Sequence, residues 1–268
     1  MSRLLYIAPV RVDADGPFER GVETAARPEN TVDVIGFSRG TPHVEYHYYE
    51  ALAIPDIVHS VLEAERQGYD AAVIGCFYDL ALHESREVAT RITVTAPCES
   101  SLLLAASLGA TVSIIVGRRK WIPQMKANVH HYGFGDRLAS FRTLDFGVLD
   151  YHKDESETER RFIEAGRRAI HEDGAEVIVL GCTASAGFYQ QMQDALGVPV
   201  IDSAIAAVKH AEQLIEIRDR FGRLDWTSFT ANYSRVRLPG AQAQQQADLC
   251  DQRRESSDDD DAGQSEDH

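Results

Sequence analysis

The chain has 268 residues, 44% of them hydrophobic, and a formal net charge of −15, which is enough apolar material for a core in one large or two small domains. The acidic balance excludes a nucleic-acid-binding face, which needs a basic patch. No apolar run approaches the roughly 20 residues that cross a bilayer, and residues 1–10 lack the charged-then-apolar pattern of a signal peptide, so a cytoplasmic protein with no membrane partner is expected.

Short apolar runs alternate with helical patterns along the chain, which predicts an α/β fold with parallel sheets. Strands are predicted at 4–9 and 31–37, then a helix over 55–67 whose Ile57, Val58, Val61, Leu62 and Ala64 recur at helical spacing and which stops at Gly68. A strand at 71–75, a short helix near 79–89 and a strand at 91–95 complete the first half. The second half repeats the order, with a strand at 111–116, a helix around 120–132, a strand at 139–144 and a helix over 155–172 ending at Gly174. Strands at 176–180 and 198–201 follow, and a last helix at 203–217 returns the chain to the first half. Domain boundaries are therefore placed at 1–97 plus 205–238 for one unit and 98–204 for the other. Trp226, Phe229 and Tyr233 are candidate anchors for a final segment. Residues 240–268, rich in Gln, Ser and Asp, are expected to form a disordered acidic tail. Four lysines stand beside 23 arginines, an acid-rich, lysine-poor balance that suits high salt.

The repeat centres on two cysteines. Ala71–Gly75 leads to Cys76, and Val177–Gly181 leads to Cys182, 106 positions later. Gly68 and Gly174 precede the two runs, and Val94 and Val200 follow them, at the same offset. Ligands of parallel sheets gather at the carboxyl ends of the strands, which is where both thiols fall. Gly75 and Gly181 let the backbone approach a ligand closely. Backbone N–H groups there favour anions and are expected to lower the thiol pKa, and Thr183 and Ser185 add hydroxyl donors. Two thiols facing each other across a cleft form a two-base pair, one taking a proton from a carbon and the other returning one to the opposite face. Cys98 admits either reading, Cys250 lies in the polar tail and reads as inert, and no C-x-x-C spacing points to zinc or redox chemistry. No phosphate-binding or dinucleotide motif is present, Gly133-Phe134-Gly135 being read as a turn, so neither a cofactor nor a metal is expected.

These residues resemble the aspartate/glutamate racemase superfamily, and within it the hydantoin racemases. The resemblance spans about residues 4–220. It is carried by Gly40-Thr41-Pro42-His43-Val44-Glu45, Tyr49-Glu50-Ala51-Leu52-Ala53, Gly75-Cys76-Phe77-Tyr78-Asp79, Pro97-Cys98-Glu99-Ser100, Val179-Leu180-Gly181-Cys182-Thr183 and Gly197-Val198-Pro199-Val200-Ile201-Asp202. It implies two pseudo-symmetric Rossmann-like domains, each a mostly parallel sheet flanked by helices, with the active site in the cleft between them. It further implies cofactor-independent racemisation by Cys76 and Cys182, a small-molecule substrate and a homo-oligomer. In hydantoin racemases the reacting atom is C5 of a 5-substituted hydantoin. Its ring carbonyls would meet the backbone near Phe77, Tyr78, Asp79, Thr183 and Ala184, while Pro9, Val10 and Glu45 complete the expected substrate contacts. The chain departs from the family pattern in three places. Ala8-Pro9-Val10 stands where Asn-Pro-Asn is usual, Phe77-Tyr78-Asp79-Leu80 where Phe-Gly-Asp-Pro is usual, and Cys98 where a small residue such as glycine is usual.

Several polar residues admit two readings. Asp79 either orients a substrate N–H or caps the next helix. Glu99 and Asp202 are either rim acids or helix-start acids that complement the dipole. His43 and His47 flank Glu45 at a spacing read as surface or structural rather than metal-binding, and His130, His131 and Arg118-Arg119-Lys120 read as solvated. Alternative activities are aspartate or glutamate racemisation and a maleate-type cis-trans isomerisation. A ligand-binding protein that has lost turnover, or a disulfide between Cys76 and Cys182, remains a reading from another class.

Overall fold

The computed structural model describes residues 1–11 and 21–222. The predicted tail at 240–268, the anchors Trp226, Phe229 and Tyr233, Cys250 and the end of the 205–238 segment lie outside the described residues. Two four-stranded parallel sheets form the frame. The first has the order β2-β1-β3-β4, from β1 (Arg3–Ile7), β2 (Thr31–Ile35), β3 (Ala71–Ile74) and β4 (Thr93–Thr95). The second has the order β6-β5-β7-β8, from β5 (Val112–Val116), β6 (Leu138–Thr143), β7 (Val177–Leu180) and β8 (Val200–Asp202). The orders are the same, so β3 and β7 are equivalent strands. Ile7 pairs with Ile74 in the first sheet and Ile115 with Leu180 in the second, and each cysteine lies two residues past its strand.

Every residue of β3, β5 and β7 is buried, as expected of parallel strands covered on both faces. The period-two alternation of β1 and β3 divides the core. Leu5, Ile7, Ala72 and Ile74 join a large apolar cluster, whereas Leu4, Tyr6, Ala71 and Val73 turn to the opposite face. There they meet Ala204, Ala207, Val208, Ala211 and Ile215 of the last helix, α7 (Ser203–Phe221). α7 leaves the second sheet and packs on β3 and β4 of the first. The Thr95 hydroxyl donates to the Ala207 carbonyl at 3.0 Å and fixes that contact.

The helix predicted at 55–67 runs from His47 to Arg66 (α1) and carries Pro55 inside it. Proline removes one hydrogen bond and crowds the preceding turn. Buried Ala53, Ile57, Val61 and Ala64 line one face on both sides of it, and this packing outweighs the local penalty. α2 (Leu82–Val88), α4 (Ile122–His131) and α5 (Glu155–Asp173) fall where the sequence pattern places helices. α5 is bounded by the Asp154 carboxylate, which accepts from the Glu157 amide at 3.0 Å, and by Gly174 at φ 72°. Gly68 after α1 has φ 77°, so the matched glycines of the repeat are both left-handed stops. α3 (Pro97–Ala106) and α6 (Tyr189–Leu196) have no counterpart in the sequence reading. α3 packs on α7, α4 and β7 and so touches both halves of the chain.

Candidate active site

A cavity of about 340 Å³ opens at the carboxyl ends of the central strands. Cys76 enters from the first sheet and Cys182 from the second, and both line it. Each is preceded by a glycine that has no room for a side chain. A Cβ at Gly75 would lie 2.3 Å from Cε1 of Tyr6, and one at Gly181 would lie 2.7 Å from Cγ2 of Ile114 and 2.8 Å from Cγ1 of Val116. The two cysteine backbones are thus pressed against their neighbouring strands by sequence-encoded closeness.

Pro9, Val10, Glu45, Phe77, Tyr78, Thr183 and Ala184 also line the cavity. Asp79 is a correction, because its carboxylate is turned away from the cavity wall. It accepts from the amides of Cys98 (2.8 Å) and Glu99 (2.9 Å) and from the Tyr132 hydroxyl (2.8 Å). It therefore caps α3, not the helix that follows it in sequence. Those N–H groups are orphan donors at a helix start, and Asp79 reaches them from a left-handed backbone conformation at φ 52°. Burial lifts its pKa to about 7, against the pull of the three donors. Glu99 is gripped by buried Arg86 at 2.9 and 2.5 Å. Asp202 caps α7 by accepting from Ala204 and Ile205.

Of the two readings of His43, surface or structural, the structure shows the second. His43 faces the cavity, with Nδ1 3.7 Å from Glu45 Oε2. His47 turns instead to Glu50 at 3.3 Å. Among the described residues no group of three or more His, Cys, Asp or Glu converges as a metal site would. Glu45 is buried, receives the Val148 amide at 3.3 Å and lies 3.7 Å from Arg118 Nε. Arg118 therefore pairs with a cavity acid, where the sequence indicated a solvated helix start.

The cavity also takes Trp121, Met125, Val148 and His152 from the second half. The sequence reading passed over these residues because each sits in a loop or on a helix, with only its three-dimensional neighbours to distinguish it. Tyr151 is buried between Phe146 and Phe162. Across the cleft Asn128 donates to the Tyr78 carbonyl at 2.7 Å and Gln124 to Glu50 at 2.8 Å. The loop carrying Cys76 and the start of α1 are thereby each tied to α4.

The expected lowering of the thiol pKa values is overturned. Burial pushes both up, Cys182 to about 12 and Cys76 further. The Tyr78 amide pulls Cys76 down, and the Ala184 and Ser185 amides with the Tyr151 hydroxyl pull Cys182 down. Desolvation of the charged form outweighs them, and nearby carboxylates add to it: Asp79 and Glu50 act on Cys76, and Glu45 on Cys182. A negative charge on Cys182 also raises Cys76, so the pair favours one thiolate at most. Cys76, Cys98 and Cys182 are all free thiols in the structure. Cys98 is fully buried in the core and does not reach the cavity.

Comparisons with known proteins match this architecture. The family model described as Asp/Glu/Hydantoin racemase matches residues 18–211. A hydantoin racemase of Pseudomonas sp. (strain NS671) is 34% identical over 206 residues, covering 77% of this chain and 82% of that protein. A hydantoin racemase of Paenarthrobacter aurescens is 36% identical over 191 residues, covering 69% and 79% respectively. The solved structure of an allantoin racemase from Klebsiella pneumoniae superposes with a TM-score of 0.75 at 28% identity, covering 81% of this chain and 89% of that one. Paired sheets of identical order, a shared cavity at their carboxyl ends and these matches place the chain in the Asp/Glu/hydantoin racemase family, as an isomerase of the racemase type.

Proposed function

We propose that this chain racemises 5-substituted hydantoins without a cofactor, by proton transfer between Cys76 and Cys182. The observation that carries the reading is that the two thiols line one cavity from opposite sheets. One cysteine, as thiolate, takes the proton from C5 and becomes a thiol. The electron pair left on carbon delocalises into the adjacent ring carbonyl. The other cysteine, as thiol, returns a proton to the opposite face and is left as thiolate. Charge and protons balance, and the roles are exchanged for the reverse reaction. A thiol whose pKa is raised by burial gives a scarcer but stronger base, which suits a weak carbon acid.

The backbone amides beside Phe77 and Thr183 are the groups we assign to the ring carbonyls, where oriented donors meet developing charge. Glu45 would accept from a ring N–H. The C5 substituent would rest on Pro9, Val10, Phe77, Tyr78, Trp121 and Met125. The names of the hydantoin racemase relatives support the substrate class.

The test is incubation with one enantiomer of a 5-substituted hydantoin in D₂O. Decay of optical rotation with deuterium appearing at C5 is expected, and Cys76→Ser or Cys182→Ser should each abolish it. Inert hydantoins with turnover of maleate would move the assignment to a cis-trans isomerase. Ligand binding with no turnover of any substrate would leave a binding protein.

A further inference from the structure

The contacts that hold His43 in place leave one of its ring nitrogens uncommitted. The Glu45 amide donates to its Nδ1 at 3.3 Å, and the Thr41 hydroxyl donates to its carbonyl at 2.8 Å. The Tyr46 and Tyr49 rings lie 5.6 and 5.4 Å from the imidazole, centre to centre. An amide N–H only donates, so Nδ1 carries the lone pair and the ring proton sits on Nε2. The 3.7 Å from Nδ1 to Glu45 Oε2 is too long for a hydrogen bond. Nε2 has no hydrogen-bond partner among the described residues, and the ring lines the cavity that holds both thiols.

Glu45, beside it, is 7% exposed and lines the same cavity. Its Oε1 accepts from the Val148 amide at 3.3 Å and stands 3.7 Å from Arg118 Nε. Its Oε2 has no hydrogen bond among the described residues. A buried carboxylate oxygen without a donor is costly, and a ligand N–H answers that need. Two other polar side chains of the cavity spend their protons on the protein. Thr183 donates to the Gly75 carbonyl at 3.1 Å, and His152 Nε2 to the Ala184 carbonyl at 3.0 Å. His43 Nε2–H and Glu45 Oε2 are thus a neighbouring donor and acceptor, both without a protein partner, on residues that line one wall.

We propose that His43 is a specificity-determining residue that, paired with Glu45, reads a neutral N–H/C=O edge of a cyclic ureide. The ring N–H donates to Glu45 Oε2, and the neighbouring ring carbonyl accepts from His43 Nε2–H. This inference deepens the hydantoin reading above and rests on it. His43 binds and orients the ring, while the proton transfers stay with the two thiols. A site built to hydrogen-bond a polar group rejects the analogue that lacks that group, because its own buried donor or acceptor is then left unpaired.

Titration calorimetry with 5-benzylhydantoin reads binding independently of turnover. His43→Asn keeps an acceptor in the place of Nδ1 and removes the donor, and is expected to weaken binding about tenfold, the order of one lost hydrogen bond. His43→Gln carries an amide N–H to the place of Nε2–H and is expected to stay within about threefold of the parent. Thermal melts check that both variants are folded. A second measurement needs no substitution in the protein. At least one of the N1-methyl and N3-methyl derivatives of the ligand is expected to bind the parent about tenfold more weakly or worse. The proposal is overturned if His43→Asn binds as the parent does, if His43→Gln loses as much as His43→Asn, or if both methyl derivatives bind like the unmethylated ligand. A parent that binds no hydantoin overturns it together with the substrate class, whereas binding without racemisation overturns the two-thiol reading alone.

Discussion

Cys182 should behave as a thiol through the whole neutral range. Its pKa stands at about 12 because burial penalises the charged sulfur and Glu45 repels it, against the Ala184 amide, the Tyr151 hydroxyl and the Ser185 amide. At about pH 8 such a group carries the thiolate in roughly one molecule in 10⁴, an ionisation uphill by about 5 kcal/mol. Alkylation by iodoacetamide requires the thiolate, so site-resolved mass spectrometry of the reaction reads this fraction. The rate at Cys182 is expected to rise about tenfold per pH unit from about pH 7 to about pH 10 with no plateau. Two variants should move the curve in opposite directions. Glu45→Gln removes a repelling charge and should speed alkylation several-fold, and Tyr151→Phe removes a stabilising donor and should slow it. A plateau below about pH 8 would mean a preformed thiolate and would refute the argument that desolvation dominates this site. Cys98, buried in the core, should stay unmodified under the same conditions.

Gly75→Ala drives a methyl group to 2.3 Å from a Tyr6 ring that is itself enclosed, and should destabilise the fold by about 1–3 kcal/mol, read as a lower denaturation midpoint; Ala at 75 tolerated at parent stability would show that β1 yields. For Asp79 the folded pKa is raised, to about 7, so the protonated carboxyl is the form that folding favours. Its contribution is fully present below about pH 4 and is lost as pH rises through about 7. The difference in unfolding free energy between the parent and Asp79→Asn should therefore shift against the parent by up to about 4 kcal/mol across that window, and superimposable pH profiles would contradict it. Pro55 is exposed inside α1, so Pro55→Ala should raise stability by about 1–3 kcal/mol, measured by urea denaturation. An unchanged midpoint would mean that the helix has already adapted to the ring.

The sequence by itself determined what is local and repeated. Short apolar runs and helical spacings located the strands and most helices. The glycines at 68 and 174 marked helix ends, and the two Gly-Cys steps at a common offset placed a thiol at the carboxyl end of each central strand. Those features follow from steric limits on the backbone and from which faces must be buried, and both are written in neighbouring residues. What sits against what was decided only by the tertiary structure. α3 starts where it does because Asp79, far away in sequence, satisfies its first amides. α1 continues through Pro55 because its buried face packs on either side of the ring. His43, Trp121 and His152 became cavity residues through the approach of the two halves. The thiol pKa values show the difference most plainly. Helix starts and amides, visible in the chain, argue for lowering, whereas the rise comes from desolvation and converging carboxylates, which exist only once the lobes have met around the sulfurs.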